Sequence, residues 1–314
     1  MKRMGTVAAL LLVVATCLSA QAGKTTPTPT AAAGGFNSAR AWEDLKQMVN
    51  LGPRPAGSPA LRQTRAYIGK QMSALGLKVE EQPFVADTPI GKVDMVNLIV
   101  RLPGRRTDKI LFTGHYDTKP IRTSTFVGAS DGASSAAMLL ELVRTLKDKQ
   151  REYTYEFVWF DGEEAFCAGW DDCGKPGSPD NTYGSRYYVQ AAQKAGITAT
   201  LKANVLVDMI AAKDLKIWRE TLSTKWLTDI VWANAKRLGH STVFLEKTGQ
   251  IEDDHEAFLA AGIPSTDIID LMDYAYWHNS VCCDDLTRVE EKSLKIVGDV
   301  IVASVPDIEK HLIK

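Results

Sequence analysis

The sequence predicts an α/β protein with a central mixed, mostly parallel β-sheet flanked by helices on both faces. Three observations carry this. Short apolar runs alternate with helical stretches along the chain, the pattern of β-α-β units. The runs are continuously apolar, as strands covered on both faces are. Acids and histidines follow the runs directly, where an open α/β sheet presents its ligand-binding rim.

Taken in order, Ala41 to Asn50 and Ala60 to Leu75 have helical periodicity, separated by a loop at Gly52-Pro-Arg-Pro-Ala-Gly-Ser-Pro59. Val96–Arg101 and Lys109–Thr113 read as strands, and Ser134–Lys147 as a helix. Thr154–Phe160 reads as a strand, Ser185–Ala195 as a helix and Ala203–Asp208 as a strand. Thr224–Leu238 reads as a helix, Ser265–Ile269 as a short strand and Val289–Ser304 as a closing helix. No repeat or composition break marks a second domain.

The N-terminal end reads differently. Lys2 and Arg3 precede an apolar run from Val7 to Leu18 and then Ser19-Ala-Gln-Ala22. A basic start, a run too short to span a bilayer and an A-x-A site predict a signal peptide, 1–22, and hence export to a periplasm or the medium. A lipoprotein anchored through Cys17 is the weaker alternative, because Thr16 fits poorly before a lipidated cysteine. Residues 23–35, rich in Thr, Pro, Ala and Gly, read as a flexible tether, and 36–314 as the catalytic domain.

The 314 residues carry 37 Lys+Arg against 38 Asp+Glu, a net charge of −1. That balance argues against nucleic-acid binding through a broad basic surface, and an ordinary apolar content argues against disorder. No later run is long enough for stable membrane insertion. Cleavage after Ala22 leaves Cys167, Cys173, Cys282 and Cys283. An even count in an exported protein suggests disulfides. The spacing of Cys167 and Cys173 suits a local loop, while Cys282 and Cys283 stay open between free thiols and cross-pairing, since a vicinal bridge is strained.

Chemistry gathers at the strand ends. Gly114-His115-Tyr-Asp117, Asp161-Gly-Glu163-Glu164 and Asp208 each follow a strand, and Asp131 starts a helix. Asp253-Asp254-His255 and Trp277-His278 come later. Each has a plainer reading. Asp131 can cap its helix. His115 can be a satisfied core histidine, Glu163-Glu164 a solvated pair and His278 a loop residue. Together they are harder to dismiss, because carboxylates crowded at a buried rim demand a cation or a raised pKa. Zinc suits a His/Asp/Glu set, with three protein ligands and an open position for catalysis.

In their order, His115-Tyr-Asp117, Asp131, Glu163-Glu164, Asp208 and His278 resemble the zinc aminopeptidases of the M28 family. Within it the sequence is more similar to the glutaminyl cyclases of animal and bacterial α/β type. The pieces are His115-Tyr-Asp-Thr-Lys119, Phe126-Val-Gly-Ala-Ser-Asp131, Asp161-Gly-Glu-Glu-Ala-Phe166, Tyr183-Gly-Ser-Arg186, Ile251-Glu-Asp-Asp-His255 and Trp277-His278. The resemblance covers nearly all of the chain after the tether.

It implies an aminopeptidase-like α/β-hydrolase sandwich and an enzyme that cyclises N-terminal glutamine of peptides and proteins to pyroglutamate, releasing ammonia. It implies one zinc on Asp131, Glu164 and His278, with Glu163 as general acid/base and Asp208 and Asp253 forming an acidic hydrogen-bond network beside it. Trp277, Trp170 and Ile251 would line the substrate pocket. The expected state is a monomer. His115 matches a dizinc ligand of the aminopeptidases, so a second zinc on His115 and Asp208, with Asp131 bridging, belongs to the rival reading of a dizinc aminopeptidase. A catalytically silent peptide- or metal-binding protein is the third reading. Some positions depart from the animal pattern. Gly114 and about Ala136 replace a disulfide pair, the loop from Cys167 to Pro179 is expanded, Trp170 is displaced by one position, and Asp267 stands for a histidine.

Overall fold

The computed structural model describes Met1 and residues 35–175, 177–279 and 281–313. Cys17, the expected signal peptide beyond Met1 and the expected tether before residue 35 lie outside these residues.

Helix α1 (Ser38–Val49) starts where the Asn37 side chain accepts from the amide of Arg40, so it opens three residues before Ala41. Ser58 caps α2 (Pro59–Ser73) in the same way, with Pro59 in the first turn. A hairpin follows, β1 (Glu80–Thr88) against β2 (Gly91–Leu102), paired antiparallel along the full length of β1. The sequence reading has no β1 and starts β2 at Val96. The missing parts are polar, largely exposed edge strand, which has no apolar run to detect.

The core units come next: β3 (Lys109–His115), α3 (Ala133–Leu146), β4 (Thr154–Phe160), α4 (Tyr183–Lys194) and β5 (Leu201–Asp208). After them come β6 (Ile217–Glu220), α5 (Lys225–Arg237), β7 (Phe244–Gly249), α6 (His255–Ala260), β8 (Ser265–Ile269) and α7 (Glu291–Ile313). The main sheet has the order β1-β2-β4-β3-β5-β8, with β6 and β7 forming a separate parallel pair. Pairings β4-β3, β3-β5 and β5-β8 are parallel, while β2 runs antiparallel to its neighbours. The sheet is mixed and mostly parallel, as expected.

Alternation along β4 shows how the layers form. Tyr155, Phe157 and Trp159 belong to the large core that includes residues of α1, α3 and α7. Val158 and Phe160 belong to a smaller core with Tyr188 of α4 and Phe258 of α6. Helix α3 is buried nearly all round; its Glu141 is paired with Arg40 at 2.6 Å. Helix α7 continues nine residues past the expected end at Ser304, through Pro306, and buries Val305 and Ile308. Burial of that face outweighs the proline cost of about 3 kcal/mol.

Two disulfides join Cys167 to Cys173 and Cys282 to Cys283. No helix among the described residues is long and apolar enough to cross a membrane.

Candidate active site

Strands β4 and β5 flank β3 on opposite sides, so the chain changes direction in the sheet there. In such sheets the crevice beyond the carboxyl ends at this switch is the binding place. His115 ends β3, Asp161 follows β4, and Asp208 ends β5.

The turn after β4 aims two glutamates. Gly162 has φ +71°, and a Cβ there would come within 2.5 Å of Met95, so the turn requires glycine. The Asp117 carboxylate then accepts from the amides of Glu163 (3.2 Å) and Glu164 (3.4 Å). Asp131 is placed by a second bend. Gly132 has φ +89°, and a Cβ would lie 2.3 Å from the Asp117 carbonyl oxygen. Gly132, with no side chain, is the N-cap of α3, so Asp131 is not capping the helix. His278 has φ +47°, a left-handed conformation that costs a non-glycine residue energy and marks functional positions. Its ring stacks on Trp277 at a centroid distance of 4.0 Å and meets Phe126 edge-on.

Asp284 is a site residue that the sequence reading missed. Its carboxylate accepts from the amides of Ser130 (2.9 Å) and Asp131 (2.9 Å) and from the hydroxyl of Tyr274. One buried acid thereby ties the backbone of Asp131 to the segment that carries His278. Asp284 and Asp131 are far apart in sequence, so no local pattern announces the contact.

Two groups of side chains stand close enough to grip a cation, and they share Asp131. The first is Asp131, Glu164 and His278, whose donor atoms lie within 4.8 Å of one another. Asp131 Oδ2 and both carboxylate oxygens of Glu164 are buried without a hydrogen-bond partner. His278 Nε2 stands 3.0 Å from Glu164 Oε2, in a geometry that makes an ion-pair contact and no hydrogen bond. Buried carboxylate oxygens left unbonded beside an imidazole are what a metal would satisfy; the residues therefore fit zinc.

The second group is His115, Asp131 and Asp208. Its donors already engage one another: His115 Nε2 is 3.0 Å from Asp208 Oδ1 and 3.2 Å from Asp131 Oδ1. Burial alone would discharge His115, but Asp208 and Glu163 hold its pKa well above the usual imidazole value. Against burial, Glu164 and Asp131 raise the pKa of His278 in the first group as well.

Glu163 is buried, and burial drives its pKa well above the carboxylate range; His115 pulls it down, and Glu164, Asp253 and Asp254 push it up. Burial also raises Asp208, against the pull of His115. Asp208 and Asp253, expected to form an acidic network beside Glu163, are both buried. Asp208 bonds to His115 and to the amide of Met209, at 2.8 Å. Asp253 Oδ1 accepts from the amide of Asp254, and its Oδ2 has no partner. Burial and the charges of Asp267 and Asp208 raise Asp253 well above its ordinary value, and Asp254 is pushed up to about 7. The acids interact through the field they share, which favours protons on them.

The cavity over these residues has a volume of about 360 Å³, at the small end for ligand sites. Asp131, Glu163 and Glu164 line it together with Trp170, Ile251 and Trp277. Trp170 stands on the loop closed by Cys167 and Cys173. Gly114, at the position of the absent disulfide, packs against Ser135, where a Cβ would meet Ser135 Cβ at 2.7 Å.

Comparison with known proteins places these features in context. The model of peptidase family M28 matches residues 97–305. The glutaminyl-peptide cyclotransferase-like protein of Mus musculus is 30% identical over 254 residues, an alignment spanning 72% of this chain and 64% of the mouse protein. The crystal structure of Acidobacteriales bacterium glutaminyl cyclase superposes with a TM-score of 0.81 at 34% identity, covering 92% of this chain and 99% of the other. Porphyromonas gingivalis glutaminyl cyclase superposes with a TM-score of 0.77 at 26% identity, covering 87% and 98%.

Proposed function

For this chain, which belongs to peptidase family M28 on its glutaminyl cyclase branch, we propose cyclisation of N-terminal glutamine in peptides and proteins to pyroglutamate. The observation that carries this reading is the set of unbonded oxygens on Asp131 and Glu164 facing His278 in the lining of a one-residue cavity, with Glu163 beside them. These three ligands would hold one zinc ion. Bound there, zinc polarises a carbonyl oxygen and stabilises negative charge on it.

The chain's own groups do the rest. The aromatic walls from Trp170 and Trp277, with Ile251, fold the glutamine side chain back on its own amine. Proximity then does much of the work, because the reaction is intramolecular. The α-nitrogen bonds to the side-chain carbonyl carbon, and the carbon–nitrogen bond of the carboxamide breaks. Glu163 takes the proton from the attacking amine and returns it to the departing nitrogen, which leaves as ammonia. A carboxyl with a raised pKa suits both halves of that exchange near neutral pH. Asp208 and Asp253 set the field around Glu163. The same walls exclude water and so disfavour hydrolysis to glutamate. Export behind a cleaved signal peptide, 1–22, a tether at 23–35, a catalytic domain at 36–314 and a monomeric state complete the proposal.

A second reading has one observation in its favour: His115, Asp131 and Asp208 also stand within reach of a cation, as a dizinc aminopeptidase would require. One experiment separates the two. Gln-initiated and Leu-initiated fluorogenic dipeptides are incubated with the purified protein, ammonia and amine release are followed together, and zinc is counted. Ammonia from the glutamine substrate, an intact leucine substrate and about one zinc per chain support the cyclase. Leucine release with about two zincs makes it an aminopeptidase.

A further inference from the structure

His278 lines two cavities. One is the reaction cavity; the other has a volume of about 430 Å³. The two are opposite in charge. The reaction cavity is bordered by acids, including Glu163, Asp171, Asp208 and Glu252. Among its described lining residues the second cavity has no carboxylate and two cations, Lys119 and Arg122, beside the apolar Ile121, Phe166 and Ala168.

Lys119 is the telling residue. It is 4% exposed, and its Nζ is buried without a hydrogen-bond partner. An ammonium is seldom buried unpaired, since removal from water is costly unless an anion answers it. Arg122 is exposed at the rim and has no ion pair among the described residues. A buried cation without its anion, a second cation at the mouth and a cavity between them make a receptor for a carboxylate.

We propose that this cavity is a specificity subsite for a carboxylate of the peptide, carried one or two residues beyond the reacting glutamine. The assignment rests on the cyclase reading. A peptide whose amine enters among acids and whose next acidic group meets Lys119 and Arg122 matches the charge pattern of the two cavities. The two cavities share His278 and an extended chain advances about 3.5 Å per residue, so the second and third residues are the positions to vary.

The test is a panel of amidated tetrapeptides, Gln-Xaa-Ala-Ala and Gln-Ala-Xaa-Ala, with Xaa glutamate, glutamine or lysine, assayed for ammonia release by the zinc-loaded full chain. A free-acid tripeptide, Gln-Ala-Ala, is compared with its amide to separate a side-chain carboxylate from a C-terminal one. At one position, or in the free acid, kcat/KM should exceed that of the neutral counterpart about tenfold, mainly through KM. The advantage should shrink as salt is added. Arg122→Glu should reverse the order of the glutamate and lysine peptides, which misfolding does not do, and Lys119→Met should erase the advantage. Absence of any preference for a carboxylate, or an unchanged order in Arg122→Glu, overturns the subsite. If no peptide releases ammonia, the cyclase reading itself fails. Calorimetry with pyroglutamyl-Glu-Ala-amide against pyroglutamyl-Gln-Ala-amide then decides the subsite, and equal affinities reject it.

Discussion

The two cation-sized groups around Asp131 use similar side chains and differ in what they have left to offer. In His115, Asp131 and Asp208 the imidazole sits between two carboxylates, and the group is wholly buried. In Asp131, Glu164 and His278 the carboxylate oxygens are unbonded, His278 is half-buried, and the group faces a cavity. The first is closed by its own internal contacts, and the second is open to a metal and a substrate. Residue type alone therefore does not define a metal centre. Unspent bonding capacity and access do.

Replacement of Glu163 by Gln gives the largest expected effect, because the open group would keep its metal and lose its proton carrier. Turnover should fall by about a thousandfold while zinc content is unchanged. Retained activity would remove Glu163 from the chemistry. His278→Ala should lose zinc and activity together, as read by metal analysis of the purified variant. Full zinc occupancy in that variant would mean that the closed group binds the metal, and the contrast would be reversed. His115→Gln sharpens the contrast from the other side. It should leave about one zinc per chain and slow turnover about tenfold to a hundredfold, since Glu163 and Asp208 lose their cationic neighbour. A drop from two zincs to one would make His115 a ligand. The smallest effect belongs to the wall: Trp170→Ala should raise KM several-fold, about 1 kcal/mol, with zinc unaltered. An unchanged KM would take Trp170 out of the pocket.

His115, Glu164 and Asp208 were visible in the sequence because they end or follow buried strands, whose continuous apolar runs are easy to read, whereas Asp131 and His278 stood out only through the family motifs. β4 and β8 run from Thr154 to Phe160 and from Ser265 to Ile269, the spans the apolar pattern predicts. Elements without such a pattern escaped. β1 is a polar edge strand containing Pro83, most of β7 is solvent-facing, and α6 is six residues long. The positioning contacts escaped for another reason. Asp117 under the glutamate pair and Asp284 under Asp131 act on backbone amides brought near by the fold, and neither the acid nor its target carries a local signature. The difference between the closed and open groups was also out of reach, since it depends on which oxygens are already bonded.

The bond from Asp284 to the amide of Asp131 has a consequence for the order in which the enzyme comes into being. During synthesis Asp131, Glu163 and Glu164 emerge long before His278 and Asp284. Until those late residues are made and folded back, the amide of Asp131 lacks its anchor and the proposed zinc site would lack its third ligand. A chain that stops before Asp284 should therefore lack this anchor, and the segment carrying His278 and Asp284 is needed to complete the site. The same tie links the stability of that stretch to metal supply, since an ion that binds only the folded form adds to its stability as its concentration rises.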